Sequence, residues 1–229
     1  MPPPASHLNL PKTTVYRGLS SLSEAGWLES DPSDPTRWVV SARAFVIGST
    51  VSNRVGLRSQ ALPFMNELAA ETEETIHLTI RDGDTVLLIE RIDCPHPVRT
   101  FTPLGARAPL HASSNGKAIL ACLPPEEIDR YLAGGLEALT ARTITDREIL
   151  ADELRLIRKR GYAVSNEEQQ VGVVSIAAAI RPHGGEPAGA LSISGPKSRM
   201  TRNIHSDHGD KVRSMAGRIA ASLPAGATA

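Results

Sequence analysis

The spacing of apolar positions changes twice along the chain. Between Pro11 and Gly26, Val15, Leu19 and Leu22 recur at helical intervals. Pro11 stands where a first helical turn tolerates proline, and Gly26 supplies a stop. Trp27-Leu28-Glu29 and Arg37-Trp38-Val39-Val40 then read as short strands around the turn Asp31-Pro32-Ser33-Asp34-Pro35. From about residue 43 to 72 the period is helical, with Leu57, Ala61, Leu62, Met65, Leu68 and Ala69 on one stripe and possible breaks at Gly48 and Gly56.

From Thr75 the period becomes two. Ile76, Leu78 and Ile80 alternate with Thr75, His77 and Thr79, and Asp82-Gly83-Asp84 turns the chain into Val86-Leu87-Leu88-Ile89. Further strands are expected at 98–102, Val173–Ile180 and Ala188–Ser194. A capping box of Thr145 with Glu148 predicts a helix closing near Gly161, and Ile204, Val212, Met215 and Ile219 predict a final one. Strands in hairpins, mixed with helices, indicate an α+β fold with an antiparallel sheet.

Composition narrows the function. Lys plus Arg balances Asp plus Glu at 25 each, so no global charge steers the chain towards nucleic acid or an acidic surface. Its two cysteines build neither a disulfide framework nor a four-thiolate zinc site. There is no apolar run of the roughly 20 residues that a bilayer needs and no signal-peptide pattern at the start, so a cytoplasmic protein with no membrane partner is expected.

Three constellations carry chemistry. On the Pro11 helix, Thr13, Tyr16, Arg17 and Ser20 fall opposite the apolar stripe, and no acid occurs between Lys12 and Ser23. Hydroxyls, a phenol and cations on one face suit phosphates and base edges in a major groove, although a plain surface helix has the same pattern. Ser113-Ser114-Asn115-Gly116 precedes the helix-forming Lys117-Ala118-Ile119-Leu120, offering either an ordinary N-cap or backbone amides aimed at an anion. A P-loop is excluded, since His111 occupies the first glycine position and Ala118 that of Ser or Thr.

The strands supply the third. One face of Val173–Ile180 carries Val174, Ile176, Ala178 and Ile180, and the other Val173, Ser175, Ala177 and Ala179. The last strand likewise sets Leu191 and Ile193 against Ala188, Ala190, Ser192 and Ser194. Small and hydroxyl side chains leave either a ligand cavity or a seat for a closely packed helix. Ser165-Asn166-Glu167-Glu168 could add polar groups, although paired loop carboxylates are usually solvated. His205 and His208 with Asp207 and Asp210 have metal-ligand types but no clear third ligand, so neither a metal nor a cofactor is expected. His111 near Ser113 lacks an Asp partner for nucleophilic catalysis, leaving a hydrolase as a remote alternative.

Four stretches together resemble the IclR family of bacterial transcriptional regulators: Leu8-Asn9-Leu10-Pro11-Lys12-Thr13-Thr14-Val15-Tyr16-Arg17, Pro109-Leu110-His111-Ala112-Ser113-Ser114-Asn115-Gly116-Lys117-Ala118, Arg160-Gly161-Tyr162-Ala163-Val164-Ser165-Asn166-Glu167-Glu168, and Leu191-Ser192-Ile193-Ser194-Gly195-Pro196. The resemblance implies a winged helix-turn-helix over 1–42 that is incomplete at its N-terminus, a linker helix over 43–56, and a GAF-like effector domain over 57–229. It implies a homodimer or tetramer, no enzymatic activity, and double-stranded operator DNA and a small anionic effector (an organic, sugar or aromatic acid) as partners. Lys12, Thr13, Thr14, Tyr16, Arg17 and Ser20 would face DNA from the recognition helix, with Arg37 on the wing. The effector carboxylate would sit at Ser113, Ser114, Asn115 and Gly116, within walls from Ser165, Val173, Ser175, Ser192 and Ser194.

Two departures stand out. The family has a further helix, and most of another, ahead of the segment that begins here near Ala5. Part of the cover over Val15, Leu19 and Leu22 is therefore expected to be missing, and specific DNA binding to be weak or absent compared with a version extended upstream. A binding module that no longer touches DNA is the resulting alternative. Ser165 stands where some members carry an acidic pocket residue, which makes the pocket less hostile to a second negative charge.

Overall fold

A computed structural model describes residues 10–44, 46 and 56–223. The chain divides into two compact units, Met1–Arg54 and Val55–Ala229.

The first unit is the expected helix and hairpin. Helix α1 (Lys12–Glu24) follows Pro11, and Gly26 leaves it in the left-handed region at φ 76°, where a Cβ would be strained. Strands β1 (Leu28–Asp31) and β2 (Asp34–Val40) pair antiparallel. Asp31 Oδ1 accepts from Ser33 N and Oγ, and Asp34 Oδ1 from Thr36 N and Oγ1, so two Asx turns shape the corner and hold both carboxyls below their ordinary pKa. No residue of α1 is buried. Val15 and Leu19 are half-buried, whereas Leu22 stands 45% exposed. Residues 42–44 and 46 are helical. The rest of the expected linker helix, at 45 and 47–55, lies outside the described residues, as do 1–9 and 224–229.

The second unit is a six-stranded antiparallel sheet between two helical layers. Helix α2 (Leu57–Thr72) leads into β3 (Thr75–Asp82), β4 (Thr85–Ile92) and β5 (Arg107–Pro109). Helices α3 (Ser114–Leu120), α4 (Pro125–Ala133) and α5 (Arg147–Arg160) follow, then β6 (Ala163–Asn166), β7 (Val173–Ile180), β8 (Gly189–Pro196) and α6 (His205–Ser222). The strand order is β5-β4-β3-β8-β7-β6.

One sheet face presents Ile76, Leu78, Val174, Ile176, Leu191 and Ile193 to Leu57, Met65 and Leu68 of α2 and to Val212, Met215 and Ile219 of α6. All twelve are buried, each worth about 1.5–3 kcal/mol of transfer free energy. The opposite face carries α3, α4 and α5 over a second cluster that includes Ala163, Ala177 and Ala190.

Two sequence expectations fail. Residues 98–102 form no strand. Side chains rather than a backbone ladder tie that segment down: Thr100 Oγ1 donates to Ser194 O at 3.3 Å, Arg199 Nη1 to Val98 O at 2.8 Å, and the Arg91 guanidinium lies 4.2 Å from the Phe101 ring and bonds Thr102 O. Helix α5 is capped not by Thr145 but by Asp146, whose Oδ1 accepts from Glu148 N and Ile149 N at 2.9 and 3.0 Å. One carboxylate serves two orphan amides there and complements the helix dipole, which a hydroxyl cannot match.

Candidate functional site

Strand register decides which side chains share the small-residue face. Thr75, Ser194, Ser175 and Ser165 stand opposite one another across β3, β8, β7 and β6. Two residues along, the neighbouring row is His77, Ser192, Ala177 and Ala163. The face meets both a helix and a cavity. Helix α3 seats itself on the alanine end, and the hydroxyl end borders a cavity of about 280 Å³. That is near the lower end of the range of ligand pockets, suited to a small metabolite.

Of the residues expected at the effector, Ser113, Ser114, Asn115, Ser165, Val173, Ser175, Ser192 and Ser194 all line the cavity. Gly116 does not. Its N–H is taken by Ser113 Oγ at 3.0 Å, and a Cβ there would come within 2.4 Å of Leu110 O, so its role is to let α3 pack close. Ser114 and Asn115 occupy the first two positions of α3, whose amides a helix leaves without an internal partner. Ser114 Oγ donates to Ser175 Oγ at 2.8 Å, Asn115 Nδ2 to Ser192 Oγ at 2.9 Å, and Ser165 Oγ to Ala112 O at 2.9 Å. No Asp or Glu lines this cavity among the described residues, whereas Arg99 and Arg107 do, both exposed.

The sequence reading missed His77, Thr79, Thr100 and the loop residues Gln169, Gln170, Val171 and Gly172, which also line the cavity, as do apolar residues such as Leu88, Val98 and Phe101. Alternation in β3 was the available signal, since Thr75, His77 and Thr79 form its polar face. A polar face is ordinarily solvated, but all three are buried here.

The missed loop is held by the carboxylates expected to be solvated. Glu168 pairs with Lys117, a residue of α3 that is 0% exposed, whose Nζ lies 2.6 and 2.7 Å from the two carboxylate oxygens and 2.7 Å from Val164 O. Burial raises the Glu168 pKa, and Lys117 opposes that rise. Glu167 binds Lys197, lies 3.0 Å from Arg142 Nε, and accepts from Gly172 N at 2.9 Å, which together lower its pKa. Both acids are thus structural ties between the loop and its surroundings.

Other candidates separate. His111 Nδ1 meets Tyr131 OH at 2.7 Å and Nε2 meets Glu137 O at 2.9 Å, while Ser113 Oγ caps α3, so the two do not form a nucleophile–base pair. His208 is buried rather than at the surface, with a pKa lowered by burial, and no metal-competent cluster occurs among the described residues. In the first unit, Lys12, Thr13, Thr14, Tyr16, Arg17 and Arg37 are exposed and Ser20 is half-buried. Tyr16 is 64% exposed and meets Trp38 edge-on, with ring centroids 6.5 Å apart. Arg37 lies 3.8 Å from Asp31.

A helix-and-hairpin unit joined to a domain with a lined, largely neutral cavity defines a ligand-sensing regulator. Comparison with known proteins agrees: residues 49–221 match the family described as "Bacterial transcriptional regulator IclR C-terminal", and residues 5–32 match the "IclR helix-turn-helix domain". The chain is 38% identical over 217 residues to the HTH-type transcriptional repressor AllR of Salmonella paratyphi A, covering 94% of this chain and 79% of that one. With AllR of Escherichia coli K12 it shares 37% over 218 residues, covering 95% and 80%. The crystal structure of the Thermotoga maritima IclR superposes with a TM-score of 0.78 at 30% identity, covering 94% of this chain and 87% of that one. An IclR homologue from Microbacterium hydrocarbonoxydans, complexed with 4-hydroxybenzoate, gives 0.82 at 26% identity with the same coverage.

This chain belongs to the IclR family of bacterial transcriptional regulators. It is a regulator rather than an enzyme, with an α+β fold, a DNA-binding and an effector-binding region. Among the described residues no helix is long and apolar enough to cross a membrane.

Proposed function

We propose that the cavity binds a small anionic metabolite (an organic, sugar or aromatic acid) and that its occupancy alters how α1 engages operator DNA. The carrying observation is the lining: hydroxyls of Ser114, Ser165, Ser175, Ser192 and Ser194, amides at the start of α3, Arg99, and no carboxylate among the described residues, while Arg107 lines the cavity but pairs with Asp82. Such a site accepts negative charge at little electrostatic cost. Ser113 contributes by capping α3, and Val173 supplies an apolar wall. Domain limits of 1–42, 43–56 and 57–229 go with this reading.

On the DNA side, Lys12 and Arg17 meet phosphates or guanines, while Thr13, Thr14, Tyr16 and Ser20 meet phosphates and base edges. Arg37 reaches the backbone from β2. The active species is a homodimer in the cytoplasm, able to pair into a tetramer, because two recognition helices one DNA turn apart suit a palindromic operator. Coupling requires the metabolite to bind one placement of those helices more tightly than another, typically by about 1–3 kcal/mol.

Thermal-shift screening tests the cavity, since a carboxylate at 100 times its Kd should add about 2.7 kcal/mol. Stabilisation by neutral compounds and by no acid would overturn the reading. Anisotropy with DNA from upstream of the protein's own gene tests the other half. Affinity should fall linearly in log–log terms with salt and change when an acid is bound. Absence of binding would leave a module that senses without touching DNA.

A further inference from the structure

Three buried polar atoms at one end of the cavity face have no hydrogen-bond partner: Thr75 Oγ1, His77 Nε2 and Asn115 Oδ1. They are neighbours. His77 stands opposite Ser192 and Thr75 opposite Ser194, while Asn115 reaches the same Ser192 through its amide nitrogen. His77 and Asn115 each line the cavity and are each only 7% exposed. Buried polar groups are ordinarily satisfied, so a cluster of orphans on a cavity wall marks where something polar binds.

The atoms specify what that is. With Asn115 Nδ2 spent on Ser192, the open amide atom is an acceptor and needs a donor. A carboxylate or a ketone can only accept. A hydroxyl donates one hydrogen bond and accepts others, so it can give its proton to Asn115 Oδ1 while accepting from His77 Nε2–H.

We propose that this end of the cavity is a hydroxyl subsite built from Asn115 and His77, and that the effector is a hydroxylated carboxylic acid. Plain, keto and dicarboxylic acids of similar size are disfavoured. The inference rests on the reading of the cavity as a carboxylate site and adds its second point of recognition. Charge supports the choice of an alcohol over a second carboxylate. Burial, assisted by Arg91 and opposed by Asp93, pushes the His77 pKa down to about 4, so the ring is neutral at physiological pH. It offers a hydrogen bond without the cation that would recruit an anion. Thr75, the third orphan, stands one position along on the same strand face, is fully buried and does not itself line the cavity.

Isothermal titration calorimetry on the full chain decides the matter with matched probes: glycerate against propionate, gluconate against adipate, and 4-hydroxybenzoate against benzoate and terephthalate. In the pair that binds best, the hydroxylated acid should be at least about tenfold tighter, because its analogue leaves the subsite unmet. His77→Leu should collapse that ratio to within about twofold, and His77→Gln, which keeps a donor and an acceptor, should restore part of it. Plain or dicarboxylic acids binding as tightly as their hydroxylated partners would overturn the proposal, as would an unchanged ratio in His77→Leu. If His77→Leu does not fold, the native comparison and His77→Gln decide. If no acid binds at all, the carboxylate reading itself has failed and takes this inference with it.

Discussion

Along β7 and β8, successive side chains serve two surfaces that share a backbone and differ in everything else. Towards α2 and α6 the strands present Val174, Ile176, Leu191 and Ile193, all buried in one apolar cluster with those helices. One residue along in each case, Ser175, Ser192 and Ser194 face the cavity, where Asn115 and His77 retain unmet polar atoms. The apolar face lowers the free energy of the fold. The hydroxyl face contributes less, because it borders a cavity instead of packed apolar side chains. A period-two pattern with bulky apolar residues on one side and small alcohols on the other therefore separates stability from recognition within a single strand.

The largest test removes the tie that holds the cavity side together. Lys117→Met should cost about 3–5 kcal/mol in denaturant unfolding, since it strands the buried Glu168 carboxylate. Adding Glu168→Leu should recover most of that loss. If the single variant costs under about 1 kcal/mol, the cavity side is not held by this pair and the contrast with the apolar face is overdrawn. On that apolar face, Ile176→Ala should cost about 2–5 kcal/mol by opening a void between β7 and the helices, with ligand affinity unchanged.

Acid sharpens the comparison from the cavity side. His77 titrates near 4 in the folded chain, against an ordinary value of 6.5. The unfolded chain therefore binds the proton first as pH falls. The stability from the neutral ring is complete above about 6.5 and is lost as pH drops towards 4, about 3 kcal/mol at most at 1.36 kcal/mol per unit. Unfolding curves at pH 7 and 4.5 should show this loss in the native protein and a smaller one in His77→Gln. Equal losses in the two proteins would mean the ring is solvated in the folded state.

Most of the frame and the cavity's hydroxyl walls were legible because strand alternation is local. Ser175, Ser192 and Ser194 followed from counting by two once Ile176, Leu191 and Ile193 were assigned inward. The rest depended on contacts between residues far apart in sequence. Thr100 meets Ser194 across 94 positions and Arg199 meets Val98 across 101, so a segment that reads as a strand is pinned as an irregular strap. Glu167 and Glu168 look like solvated loop acids until Lys197, Arg142 and Lys117 arrive from elsewhere. His77 was hidden for a different reason: alternation reports two faces but not which of them water reaches.

The smallest stability effect is the sharpest discriminator between the two faces. Ser175→Ala removes a hydroxyl that accepts from Ser114 Oγ on the cavity wall, one residue from Ile176 in the sequence and on the opposite side of the sheet. The serine is half-buried and Ser114 borders the cavity, so the freed hydroxyl can find water there. The cost to folding should stay under about 1 kcal/mol. Acid binding should nevertheless weaken by about tenfold, the effect of losing one good hydrogen bond on a wall that must present ordered alcohols. Paired measurements of unfolding and of ligand affinity on Ser175→Ala and Ile176→Ala should give opposite outcomes. If Ser175→Ala instead destabilises the fold as much as Ile176→Ala and leaves acid binding untouched, the hydroxyl face is a second core, and its hollow is a packing defect rather than a receptor.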